Sequence, residues 1–114
     1  MNQVKGYVFV CNNDTQKESL ARKLFGTTKS YKNKVIGIKE GDFLFQYNLD
    51  NGQLFGVFEA RSKCLRDIVP EAWNGRFPYQ VKIEWKKQYN PINAKKKRVI
   101  PQANYGYNIN TKRS

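Results

Sequence analysis

The 114-residue chain has no histidine. This removes the usual general base, the Ser-His-Asp triad, the Cys-His pair and most zinc sites. Its two cysteines, Cys11 and Cys64, stand in unrelated contexts and form neither a disulfide framework nor, alone, a metal site. No glycine-rich phosphate loop occurs. The apolar run near the N-terminus, Tyr7 to Cys11, is too short for a signal-peptide core, and nothing approaches a membrane span. The expectation is an intracellular, cytoplasmic protein with no metal, no cofactor and no membrane partner. Acidic side chains are also scarce, 9 against 21 Lys and Arg. Asp14, Glu18 and Asp42 read as cap, helix-pair and turn residues. Catalysis therefore has no constellation to rest on, and a non-enzymatic binding module remains.

What is abundant is positive charge and aromatic surface. The net charge is +12, with seven Tyr, seven Phe and two Trp. Such a surplus on a chain of one-domain length points to a polyanionic partner, nucleic acid first. The charge is uneven: residues 82–114 hold nine basic side chains against one acidic, with Lys95, Lys96, Lys97 and Arg98 at the centre. A run of this kind grips phosphates without reading sequence, or forms a solvated tail. The chain divides into a domain over 1–94 and a basic C-terminal extension over 95–114.

Residues 4 to 11 read as a strand buried on both faces. Thr15 and Glu18 have capping-box spacing, Glu18 precedes Arg22 by four, and Leu20, Ala21 and Leu24 share a face. A helix over about 15 to 25 is expected, stopped by Gly26. Residues 27 to 34 read as a loop and Val35 to Ile38 as a short strand. Phe43 to Asn48 and Gln53 to Ala60 form a hairpin about an Asn51-Gly52 turn, with Gly56 marking a bulge or a close backbone approach. A helical turn follows Pro70, and Pro78 to Trp85 alternates as a strand with Trp85 in the core. The tyrosine-containing tail is mobile unless it docks. Five or six strands and one clear N-terminal helix predict an α+β, mainly β fold, economically a small barrel.

Gly6-Tyr7-Val8-Phe9-Val10-Cys11-Asn12-Asn13-Asp14-Thr15 resembles the opening of the Development and Cell Death (DCD) domain. Leu24-Phe25-Gly26, Leu44-Phe45-Gln46-Tyr47-Asn48, Leu54 to Ala60 and Arg76-Phe77-Pro78-Tyr79-Gln80-Val81 resemble its later motifs, in order. The resemblance covers about residues 5 to 85. The chain departs from the family where Thr27, not proline, follows Phe25-Gly26, and where a basic tail replaces a longer C-terminal helical region. The resemblance implies a PUA-like small β-barrel, distantly similar to YTH domains, which read methylated adenine in an aromatic cage. Trp73-Asn74-Gly75-Arg76-Phe77 is similar to a stretch of that family whose tryptophan lines the cage, Phe25 matches the place of another cage tryptophan, and Cys11, Asn12 and Asn13 match the strand end at the base edge.

The resemblance thus implies a base-binding pocket of Cys11, Asn12, Asn13, Phe25 and Trp73, for a single base that is modified or not. The basic charge adds Arg76 and Lys95, Lys96, Lys97 and Arg98 as the residues expected to hold phosphates, on RNA or DNA. The residues themselves leave other roles open. Trp73 and Phe77 also fit as plugs at one barrel end, Phe25 and Cys11 as core, and Asn12 and Asn13 as caps. A protein-interaction module with an acidic partner is the competing function.

Overall fold

The computed structural model describes residues 5–93 and 107–110. The elements in chain order are β1 (Lys5–Cys11), α1 (Asn13–Arg22), β2 (Leu24–Thr27), a 3-10 turn (Lys29–Tyr31), α2 (Lys32–Val35), β3 (Phe43–Asn48), β4 (Gln53–Ala60), β5 (Leu65–Arg66), a second 3-10 turn (Ala72–Gly75), β6 (Tyr79–Trp85), β7 (Ile92–Asn93) and β8 (Tyr107–Asn110). The strands join in the order β2-β6-β4-β3-β1-β8, with β5 on β6 and β7 on β4. The result is a mainly β α+β fold whose sheet curls into a nearly closed barrel.

β1 is central, parallel to β3 and antiparallel to β8. Tyr7 and Phe9 face the main core with Phe25, Val35, Ile38, Leu44 and Phe58. Val8 and Val10 face a smaller cluster around Tyr47. Both faces are therefore covered, as an unbroken apolar run requires. Full burial of Phe9, Phe25 and Phe58 is worth about 1.5–3 kcal/mol each. Trp85 is half-buried and stacks on Phe58 at 4.0 Å between ring centroids.

The parallel β1–β3 pair needs a long crossover, supplied by residues 12–42. That connection sets the N-terminus of α1 beside the C-terminal ends of both strands, where Cys11 pairs with Asn48.

The hairpin forms as expected, with Gly52 in the left-handed region at φ 71°. Its register shifts between Leu44 and Gln46. Opposite lies Gly56, where a Cβ would stand 2.5 Å from the Phe45 ring, so the close approach is real.

Several expectations are corrected. α1 begins two residues early because Asn12, not Thr15, is the cap. The Asn12 Oδ1 accepts from the Thr15 N–H at 2.8 Å, and the Thr15 Oγ1 accepts from the Asn12 N–H at 2.9 Å. The helix ends at Lys23, which takes the left-handed cap position at φ 54°, so Gly26 is no stop. Leu24, Phe25 and Gly26 belong to strand β2, paired with β6. α1 buries Thr15 and Ser19, leaving Leu20 and Ala21 outside. Val35 to Ile38 is the end of α2 and a turn, which seats Val35 and Ile38 in the core without pairing. The tail contributes β8 alongside β1.

Candidate functional site

A cleft of about 390 Å³ opens at the C-terminal end of β1. Val10, Cys11 and Asn12 form its back wall, Thr15 comes from α1, and Thr28 and Tyr31 come from the connection after β2. Leu49, past β3, and Arg76 with Phe77 close the other side. Its volume lies in the range of small-molecule sites, about 300–1,000 Å³. Behind it, sharing Val10, Cys11, Thr15 and Phe77, lies a slot of about 10 Å³ bounded also by Ser19, Gln46, Gly26 and Trp73. That is room for a single water.

Each wall residue is held by local chemistry. Asn12 spends its carbonyl oxygen on capping α1, so its Nδ2 is left as a donor at the cleft. The Cys11 thiol is pushed up to about 12 by burial and then by the nearby Asp50 carboxylate, which keeps it a neutral wall. Arg76 is exposed; its Nε donates to the Trp73 carbonyl at 3.3 Å, and its guanidinium lies 5.4 Å from the Phe77 ring centroid. Among the described residues no hydrogen bond holds its terminal nitrogens, although its charge acts on the Glu18 carboxylate.

The structure places Trp73 differently from an exposed loop tryptophan. It is 2% exposed, packed with Leu24 and Ala72. Its backbone is left-handed at φ 49°, a costly conformation for a residue with a side chain. Three contacts offset that cost. The indole Nε1 donates to the Thr15 carbonyl at 3.1 Å, the backbone N–H donates to Glu18 Oε2 at 2.9 Å, and the ring lies on Gly26, where a Cβ would come within 2.6 Å. Trp73 is thus the floor of the inner slot.

Phe25 is fully buried in β2 against Phe9 and Phe58, at 5.3 and 4.9 Å between ring centroids, and lines neither cavity. Its expected place at a helix end fails because the helix stops at Arg22. Asn13 also lies off the cleft. Its Oδ1 accepts from Asn48 Nδ2 at 3.0 Å and its N–H donates to Asp50 Oδ2 at 2.9 Å, tying α1 to the β3 turn. Cys11, Asn12, Trp73 and Arg76 do converge. Lys95, Lys96, Lys97 and Arg98 lie outside the described residues.

Sequence reasoning missed Tyr31, Leu49, Ser19 and Gln46. Gln46 carried a usable signal, a long amide inside the apolar run Phe43 to Tyr47, and it is 1% exposed. A further groove of about 420 Å³, lined by residues such as Phe45, Leu54, Tyr89 and Ile92, is almost wholly apolar. It lacks the convergent polar groups that orient a small ligand. No group of potential metal ligands occurs among the described residues, and no helix there is long and apolar enough to cross a membrane.

The fold is similar to solved YTH domains. The Mmi1 YTH domain in complex with RNA matches with a TM-score of 0.73 at 13% identity, covering 96% of this chain and 72% of that one. The YTH domain of Zygosaccharomyces rouxii MRB1, in complex with N6-methyladenosine RNA, matches at 0.68 and 13%, covering 93% and 79%. In sequence, the chain is 45% identical over 96 residues to the B2 protein of Daucus carota, covering 78% of this chain and 46% of that protein. It is 43% identical over 96 residues to the DCD domain-containing protein NRP-B of Glycine max, covering 78% and 29%. The chain therefore spans less than half the length of these curated relatives. The sequence pattern of one family runs along residues 5–113, and the chain belongs to that family, the Development and cell death domain.

Proposed function

We propose that this domain binds nucleic acid without catalysis, taking a single base, modified or not, into the cleft at the end of β1. The observation that carries the reading is the cleft itself: about 390 Å³, walled by Tyr31 and Phe77, with Asn12 as a donor and Arg76 at the rim. Aromatic walls stack on any base, and an arginine at the edge holds phosphate or stacks in turn. The +12 charge supplies the long-range attraction. Two domains of similar fold were captured with RNA, which favours RNA over DNA. Cys11 and Asn12 lie at the base edge, Trp73 supports the wall from behind, and Arg76 with Lys95 to Arg98 takes the phosphates.

The test is fluorescence anisotropy with single-stranded RNA. The Tyr31→Ala/Arg76→Ala double variant should lose about tenfold or more in affinity, with an unchanged melting temperature. Equal binding by the variant would end the cleft reading. The apolar groove beside Phe45 and Leu54 favours a second reading, a protein-interaction module. It predicts that Leu54→Asp abolishes partner capture and leaves RNA binding intact.

A further inference from the structure

Three side-chain amides form a chain from the β3 turn to the inner slot. Asn48 is fully buried, and its Oδ1 accepts from the backbone N–H groups of Asp50 and Asn51 at 2.8 and 3.3 Å. Backbone N–H groups can only donate, so the Asn48 amide has one orientation. Its Nδ2 therefore donates, to Gln16 Oε1 at 2.9 Å. Gln16 is then fixed in turn, and its Nε2 donates to Gln46 Oε1 at 3.1 Å. The last amide has its oxygen spent. Gln46 Nε2 has no protein partner among the described residues, and Gln46 lines the slot. The oxygen and nitrogen positions, often ambiguous in an amide, are settled by the backbone at the far end.

Resting on the proposed base-binding function, we infer that Gln46 is a specificity-determining residue. It presents an N–H donor at the deepest point of the site and selects ligands that place a carbonyl oxygen there over those that place an amino group. The slot's 10 Å³ admits one exocyclic atom in place of a water. An oxo group accepts from Gln46 Nε2. An amino group sets donor against donor and leaves the Gln46 N–H buried and unpaired. The other slot groups do not reverse this choice. The Thr15 hydroxyl is spent on Asn12, the Trp73 N–H on the Thr15 carbonyl, and the Ser19 hydroxyl rotates to donate or accept. The ligand class is the oxo bases, with Gln16 and Asn48 as positioning residues.

Titration calorimetry on the 114-residue chain tests this with two nucleoside pairs, inosine against adenosine and uridine against cytidine. Within each pair an oxo group replaces an amino group. The oxo member should bind about tenfold or more tightly. Gln46→Met, which keeps length and removes the donor, should bring each ratio near one. Gln16→Glu is the decisive variant, since position 16 does not line the cleft. A carboxylate there offers only acceptors, so Gln46 must turn its nitrogen toward it and its oxygen to the slot. The preference should then invert toward the amino member. A merely structural role would lower both affinities together and leave the ratio alone.

An amino member that binds equally or better in the unaltered chain, or a ratio unmoved by Gln16→Glu, overturns the inference. Nucleosides that bind without discrimination while the Tyr31/Arg76 variant loses RNA overturn it alone. Failure of both nucleosides and RNA to bind overturns the base-binding reading with it.

Discussion

Trp73 and Glu18 depend on each other. The Glu18 carboxylate accepts from the Trp73 N–H and pairs with Arg22 at 2.9 Å, so the helix holds the loop that carries the slot floor. The Trp73 hydrogen bond, followed by Arg22, lowers the Glu18 pKa from its ordinary 4.5. A carboxylate held below its unfolded value stabilises the fold fully above that value, and the gain is lost as pH falls through the folded one. Glu18→Gln should therefore be less stable than the parent near neutral pH, with the gap closing below about pH 4.5 in urea melts. A gap constant across that range would show that charge on Glu18 contributes nothing. Trp73→Ala should cost about 3–5 kcal/mol of stability, because the ring is buried and its loss leaves a cavity on Gly26. Measuring melting and RNA binding on one sample separates the roles. Intact melting with lost binding would make Trp73 an exposed stacking face, contrary to its burial.

At the scale of elements, the hairpin and β1 were legible because period and turn chemistry agree there. Phe43 to Asn48 and Gln53 to Ala60 are β-prone runs about a glycine that must adopt φ 71°. Gly56 was legible too, since glycine in mid-strand needs a reason. Gly56→Val should destabilise by about 1–3 kcal/mol, because any Cβ displaces the Phe45 ring at the register shift. A neutral result in thermal melts would mean that Phe45, half-buried, turns aside freely. The helix end was not legible. Leu20, Ala21 and Leu24 have helical spacing, yet the chain leaves the helix at Lys23 so that Leu24 and Phe25 can be buried along β6. Tertiary burial outweighs local period when the competing residues are this apolar. Val35 and Ile38 read as strand in the sequence for the same reason: they are β-branched residues that reach the core from a helix end and a turn. The cleft was half legible. Strand-end polar residues announce themselves as Cys11 and Asn12, but Tyr31 arrives through the β1–β3 crossover and Leu49 from the turn after β3, and only the parallel β1–β3 pairing brings the two to the same end.

Over the whole molecule, charge and fold are joined at the C-terminal end. β8 pairs with β1 through Lys5–Asn110 to Val8–Tyr107, so it covers one edge of the strand that ends at the cleft. Removing everything after Ile92 would strip this pairing along with the basic run, and a loss of binding would then mix unfolding with lost charge. Neutralising Lys95, Lys96, Lys97 and Arg98 to glutamine keeps residues 107–110 and isolates the electrostatic contribution. Counterion release makes log affinity fall linearly with log salt, by about 0.7 per neutralised phosphate on a single strand. If the run grips phosphates, the fourfold variant should bind RNA more weakly and with a flatter slope, by about 0.7 for each phosphate no longer neutralised, at an unchanged melting temperature. Base discrimination should survive, because phosphate contacts carry no base identity and the slot chemistry is untouched. An unchanged slope would assign the attraction to Arg76 and the lysines of the folded domain, and would leave the run as a solvated segment.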